Sequence, residues 1–272
     1  MRMRLSKVLK IIFLVLAYIF FAFPLYWILS SAFKPTFEIW GQLTYFPQKI
    51  ELGNFIKCVT GLWGEALRNS LIICSANVVL CLILGFLAAY AFTRFKFIGD
   101  KHLYFWLLTN RMAPAAAFTI PFFGIYTGLG LWDTHIAVIL TYTLFNLPLS
   151  IWLLSGFFVN IPRELDEAAE IDGFKLSSYF RRVIIPLMKP GIGVTIFFLW
   201  TFSWTEMLLA SVLTSTRAKT YTVQLMLVLA AMGFGIDWGA AAAAGLVSMI
   251  PAIVAIYWVR RYILTGFTFG RI

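Results

Sequence analysis

Residues able to do chemistry are sparse in this chain and gather in one place. Positions 160–190 read NIPRELDEAAEIDGFKLSSYFRRVIIPLMKP, with Glu164, Asp166, Glu167, Glu170 and Asp172 packed into nine positions. Lys175, Arg181, Arg182 and Lys189 follow, and greasy segments close the interval on both sides. Such a segment is either a face offered to another protein or a solvated amphipathic loop on lipid headgroups. Elsewhere, Arg111 beside Asn110 and a lone Glu206 stand inside apolar runs. No nucleophile–base pair stands out. His102 and His135 are isolated, and Cys58, Cys74 and Cys81 have neither metal-ligand spacing nor a disulfide framework. There is no G-x-x-x-x-G-K-[ST] run, so the chain cannot cradle a triphosphate in the P-loop manner. Catalysis by this chain is not expected.

The elements that carry these residues must be membrane helices. Of the 272 residues, 61% are hydrophobic and 12% charged, with a mean hydropathy of +0.86. A soluble domain has about twice that charge and too little interior for so much apolar side chain. The net charge of +10 then reports loops that follow the positive-inside rule rather than a nucleic-acid partner.

Runs near the roughly 20 residues needed to cross a bilayer fall at 11–33, 70–92, 103–125, 136–159, 191–213 and 240–259. The first is too long, and ends in residues too bulky, for a cleaved signal peptide. With the N-terminus inside, fifteen Lys and Arg lie in cytoplasmic segments and six in outer loops, with Arg111 within a span. That bias sets both termini, and the 160–190 interval, in the cytoplasm. The expectation is an all-α integral membrane protein: one domain over 1–272 with six transmembrane helices, N-in and C-in.

Within the interval, Pro162 suits the first position of a helix, and Glu164, Asp166 and Glu167 favour its positive end. Ala168 and Ala169 would let a partner's surface approach closely. Gly173 is placed to end the helix in a left-handed conformation. A second short helix should start near Ser177 and stop before Pro186.

EAAEIDGFKLSSYFRRVIIPLMKP resembles the cytoplasmic EAA loop of ABC-importer permeases, with Glu167, Ala168, Ala169, Asp172, Gly173, Pro186 and Pro190 in matching positions. The Ile161–Leu165 stretch and NRMAP…IPFF…GLGLWDTH, from Asn110 to His135, resemble the carbohydrate-uptake, maltose-transporter-like branch. The resemblance implies a coupling helix that docks in a cytoplasmic ATPase, with Glu167, Ala168, Ala169, Asp172 and Gly173 at the contact. Phe174 stands where the family often has Ala.

The resemblance also implies a set of partners: a second homologous permease, two ATP-binding cassette subunits and an extracytoplasmic solute-binding protein. The chain itself would bind no cofactor, with ATP and Mg on the partner ATPase. Its place would be a bacterial or archaeal inner membrane and its cargo a sugar or polyol. The alternatives are another solute (an amino acid, phosphate or polyamine) or a stand-alone carrier. A carrier would place an ionisable relay at mid-membrane depth. Arg111 and Glu206 fall on different spans.

Arg111 has two readings: it binds headgroups or carbonyls freed by Pro114 and Pro121, or Asn110 and Arg111 line a translocation path. Glu206 is expected to make a structural hydrogen bond. Ala240, Ala244, Ser248 and Ala252 form a small-residue stripe for close helix packing. The ending, with Gly266, Thr268 and Gly270, resembles the family's tail.

Overall fold

A computed structural model of the chain describes residues 2–41, 43–230 and 235–266, with side chains between 7 and 260. Every regular element among them is a helix. In order they are α1 (Arg2–Ala32), α2 (Thr36–Trp40), α3 (Gly53–Val59), α4 (Gly61–Arg94), α5 (Asp100–Asn110), α6 (Ala115–Gly128), α7 (His135–Phe158), α8 (Glu164–Ile171), α9 (Leu176–Leu187), α10 (Lys189–Thr205), α11 (Leu208–Leu213), α12 (Tyr221–Ala230) and α13 (Trp238–Gly266). Four of these, α1, α4, α7 and α13, are long and apolar enough to cross a bilayer. A fifth crossing is available if α9 and α10, bent by 77°, count as one. The tail residues Thr268 and Gly270 lie outside the described residues.

The structure corrects three expectations, two at prolines and one at a glutamate. The span at 103–125 is two helices, α5 and α6, because Pro114 drives the residue before it out of the α region. The span at 191–213 stops at Thr205, where Glu206 is extended (ψ 120°) and its carboxylate accepts from the Leu209 and Ala210 N–H groups to start α11. The short helix expected to end before Pro186 runs through it to Leu187. A π turn at Phe180–Ile184 precedes that proline, which has no N–H to give to the turn behind it.

The described residues pack as two compact units, one formed by those within 2–65 and 224–250 and the other by those within 66–223 and 251–266. In the first, Asp237 accepts from Lys57 Nζ at 2.7 Å and from the Ala240 N–H at 3.1 Å. A Cβ on Gly239 would sit 2.5 Å from Asn54 Nδ2 and from the Lys34 carbonyl, so α13 begins in close contact with the loop beneath it. Ala240 and Ala244 of the expected stripe are buried there, whereas Ser248 and Ala252 are half-buried.

In the second unit α4 buries Ala66, Asn69, Ser70, Ile73, Cys74, Asn77, Val78, Cys81, Gly85 and Ala89. Steps of three and four make this one face, small or polar apart from Ile73 and Val78, so backbones can approach closely along it. A Cβ on Gly85 would fall 2.7 Å from the Ser150 Cβ of α7.

Asp133 clamps the far end of this unit from a left-handed backbone position (φ 58°). Its two oxygens take the backbone N–H groups of Ser215, Thr216, Arg217 and Ala218 at 2.8–3.3 Å. Burial alone would raise its pKa, but the four N–H donors outweigh it and hold the carboxyl at about 2. A carboxyl depressed in the fold stabilises it above the ordinary value near 3.8, and that stabilisation vanishes as pH falls through about 2. Asp133→Asn should therefore lower the melting temperature near neutrality. Its difference from the parent should shrink between about pH 5 and pH 2 in detergent unfolding scans.

Candidate functional site

Two polar constellations in the second unit hold residues singled out from the sequence. The first surrounds α8. Its opening turn carries Glu164, Asp166 and Glu167, as a helix N-terminus favours. Gly173 closes it at φ 69°, with Gly173 N–H on the Glu170 carbonyl and Phe174 N–H reaching back to the Ala169 carbonyl at 2.9 Å. This is a Schellman cap, which needs a residue at ease with positive φ. Nothing lies within 4 Å of where a Gly173 Cβ would be.

Among the residues singled out from the sequence, Glu167, Ala168, Asp172 and Gly173 are exposed. Ala169 is not. It is 9% exposed and packs in a cluster with Ala89, Phe158, Ile184 and Met188, so the outward face narrows to Glu167 and Ala168.

Asp166 also turns inward, and sequence reasoning counted it only as one acid among five. Its Oδ1 accepts from the Tyr90 hydroxyl at 3.0 Å and the Tyr179 hydroxyl at 2.8 Å. Its Oδ2 lies 2.8 Å from Arg94 Nε, in an ion pair close enough by distance but too bent to be a hydrogen bond. Arg94, with its side chain 6% exposed, also donates from Nη2 to the Ile161 carbonyl. Arg163 returns the tie by donating to the Thr93 carbonyl at 2.8 Å. A cavity of about 380 Å³ opens beside this network, lined by Arg94, Arg163, Asp166, Glu170 and Phe174 among others.

The second constellation sits among α4, α7 and α10. Asn146 Nδ2 donates to Asn77 Oδ1 (3.0 Å) and to Ser203 Oγ (3.1 Å), and Asn77 Nδ2 donates to Thr143 Oγ1 (3.0 Å). Arg111, in the break between α5 and α6, places Nη1 against the Asn146 Oδ1 and the Phe145 carbonyl. Its guanidinium lies over the Phe202 ring, 4.6 Å from the centroid. A cavity of about 170 Å³ is lined here by Arg111, Tyr142, Asn146, Phe202 and Glu206. Asn110 is exposed.

The carbonyl that Arg111 binds is that of Phe145 on α7, not one freed by Pro114 or Pro121, and its side chain lines the cavity. Glu206 is engaged in starting α11, the structural role expected of it. The residues that sequence reasoning missed are Asn77, Asn146 and Ser203, single polar positions inside apolar runs. That isolation is itself a signal, since an amide in hydrocarbon needs a partner on another helix.

Residues 81–268 match the family model described as binding-protein-dependent transport system inner membrane component. The chain belongs to this family. It is 36% identical to the trehalose transport system permease protein SugB of Mycobacterium tuberculosis, over 92% of this chain and 91% of that one. It is 31% identical to the trehalose/maltose transport system permease protein MalG of Thermococcus litoralis, over 98% and 96%. It is also 31% identical to the diacetylchitobiose uptake system permease protein DasC of Streptomyces coelicolor, over 95% and 94%. A crystal structure of a bacterial ABC transporter that imports the acidic polysaccharide alginate superposes with a TM-score of 0.81 at 21% identity. That match covers 95% of this chain and 96% of the other, and it shows a shared fold. Family membership makes the chain a multi-pass inner-membrane permease component and not an enzyme, with the ATPase a separate subunit.

Two substitutions separate the packing of this cluster from the cavity beside it. Asn146→Leu takes one partner each from Asn77, Ser203 and Arg111 and should destabilise by roughly 1–3 kcal/mol, read as a lower melting temperature in detergent. Arg111→Ala leaves the Asn77–Asn146–Ser203 triangle intact. It should alter transport rate or selectivity in proteoliposomes while the purified chain stays folded.

Proposed function

We propose that the chain forms half of the translocation path of an ATP-driven importer for a sugar or polyol. A second homologous permease would supply the other half. Two cytoplasmic ATP-binding cassette subunits, holding ATP and Mg, would drive the pair, and a solute-binding protein would deliver the cargo. This chain would bind no cofactor itself. The names of the relatives, which carry trehalose, maltose or diacetylchitobiose, support the cargo class. In this reading the chain crosses the membrane six times with both ends inside. The broken pair α5–α6 and the helix α10 are the crossings that length and composition leave out. A broken helix is tolerated at membrane depth where it lines a cavity, as the α5–α6 break does at Arg111.

The observation that carries the coupling role is α8 itself. It is an acidic helix with Glu167, Ala168, Asp172 and Gly173 facing outward, ended by a left-handed glycine and held by buried contacts behind it. A helix fixed on one side and bare on the other can be pushed by a partner without deforming. ATP closure of the cassettes would draw α8 with it and open the spans toward the binding protein. The two states are biased only by ligands that prefer one of them.

Gly173→Glu tests this. A non-glycine at φ 69° costs roughly 1–2 kcal/mol, and Asn tolerates that conformation better, so Gly173→Asn controls for strain. Uptake and transport-linked ATP hydrolysis should be abolished in Gly173→Glu and largely kept in Gly173→Asn, with membrane insertion unchanged in both. Normal uptake by Gly173→Glu overturns the assignment. The cargo class is checked on the cognate binding protein, by thermal shift and calorimetry with trehalose, maltose, diacetylchitobiose, sorbitol, arginine, putrescine and phosphate. Stabilisation by a sugar or polyol is expected, and stabilisation by one of the last three alone would move the cargo to another class.

A further inference from the structure

Asp166 is not among the outward-facing residues of α8, and its network needs an explanation of its own. In sequence α8 is joined to α7 by residues 159–163 and to α9 by residues 172–175. Gly173, with open space around it and a left-handed backbone, makes the second joint a poor lever. The side-chain ties run elsewhere. Tyr90 and Arg94 of α4 hold the Asp166 carboxylate, Arg94 also holds the Ile161 carbonyl, and Arg163 holds the Thr93 carbonyl. These attachments converge on the last two turns of α4, a helix about seventy residues distant in sequence. Tyr179 of α9 adds its hydroxyl to the same carboxylate.

We infer that Asp166 is a positioning residue that locks α8 to the end of α4, so that the two move as one body. A displacement imposed on α8 is then delivered first to α4, the helix that carries Asn77 of the buried polar cluster. The inference rests on the reading of α8 as the ATPase contact and names the route that motion takes from it. Three features favour a lock over a passive filler. The ion pair is largely shielded from water and therefore little screened. Both carboxylate oxygens are engaged, which fixes the rotation of α8 as well as its distance. The only other inward residue of the helix is Ala169, whose methyl group alone leaves α8 free to roll.

The test uses the complete transporter, purified with its partner chains and placed in lipid. Spin labels go on cysteines at Lys96 and Glu164, exposed positions beside α4 and on α8; the native cysteines are buried. In the parent the distance between the labels should change on ATP binding by less than the roughly 1–2 Å of an interface helix shift. In Asp166→Asn and Arg94→Met it should broaden or shift with nucleotide. Sugar accumulated per ATP hydrolysed should fall by about tenfold or more, with the ATPase subunits still co-purifying. Either single change leaves a buried group without its partner. The double variant Arg94→Met with Asp166→Leu, which leaves no lone charge, should fold as the parent does and remain uncoupled. Exchanging the pair, as Arg94→Asp with Asp166→Arg, should recover part of the coupling. The inference is overturned if the parent distance changes with ATP, if Asp166→Asn transports as the parent does, or if uptake and ATPase binding are lost together. Failure of the docking reading looks different: the parent then retains no ATPase subunit, or Gly173→Glu transports normally.

Discussion

Hydrocarbon offers a peptide group no hydrogen-bond partner, and this one deficiency governs where the chain stays helical and where it can break. Each unpaired N–H or C=O at membrane depth costs several kcal/mol. The breaks that do occur are repaired locally. At residues 111–113 the N–H groups turn back three positions to Leu108, Thr109 and Asn110. At Glu206 a carboxylate takes the two N–H groups that α11 would otherwise leave bare. At Pro186 a π turn takes up the missing bond. Helix ends in this protein are therefore places where a side chain or a ring forces the issue, and two of the three border the cavity at Arg111.

The same deficiency explains the contrast between the two polar constellations. Asn77, Asn146, Thr143 and Ser203 satisfy one another across three helices, with Ser203 contributing one hydroxyl as acceptor and donor. Such bonds contribute about 0.6–2 kcal/mol each in a membrane protein, enough to fix register between helices that would otherwise slide on apolar surfaces. Arg111 joins this group by Nη1 alone, which leaves the rest of its donor fork toward the cavity. In the α8 network the Arg94–Asp166 ion pair is covered by tyrosine hydroxyls and apolar rings that keep water from it. Beside it Phe158 meets Phe86 and Tyr90 edge to face, and Tyr90 meets Phe180 in the same way.

Much of the architecture was legible in the chain. The positions of α1, α4, α7 and α13 follow from apolar length, and the end of α8 follows from Gly173, because few other residues accept its backbone. The 160–190 interval is visible as a charge island. Span three was misread as continuous because a hydropathy run averages over Pro114 and Arg111, each of which is tolerable singly. Span five was misread because nothing in WTEML announces that Glu206 will bond its own downstream N–H groups. The stripe on α13 was seen since its residues are all small. The longer one on α4 was hidden, because Asn, Ser, Cys and Gly alternate there and only their shared face makes them a set.

What the sequence decides alone is whatever depends on a residue and its near neighbours: solvent class, helix length, charge bias and the left-handed turn at Gly173. Tertiary structure decides what depends on who arrives from far along the chain. Asp166 and Glu167 are adjacent acids with the same local propensity, yet one faces the protein and the other the solvent. The difference is set by Arg94 and Tyr90, which reach Asp166 across seventy-odd residues. A carboxylate's role follows from the cations and hydroxyls within about 3 Å of it, and no spacing in the sequence encodes that distance.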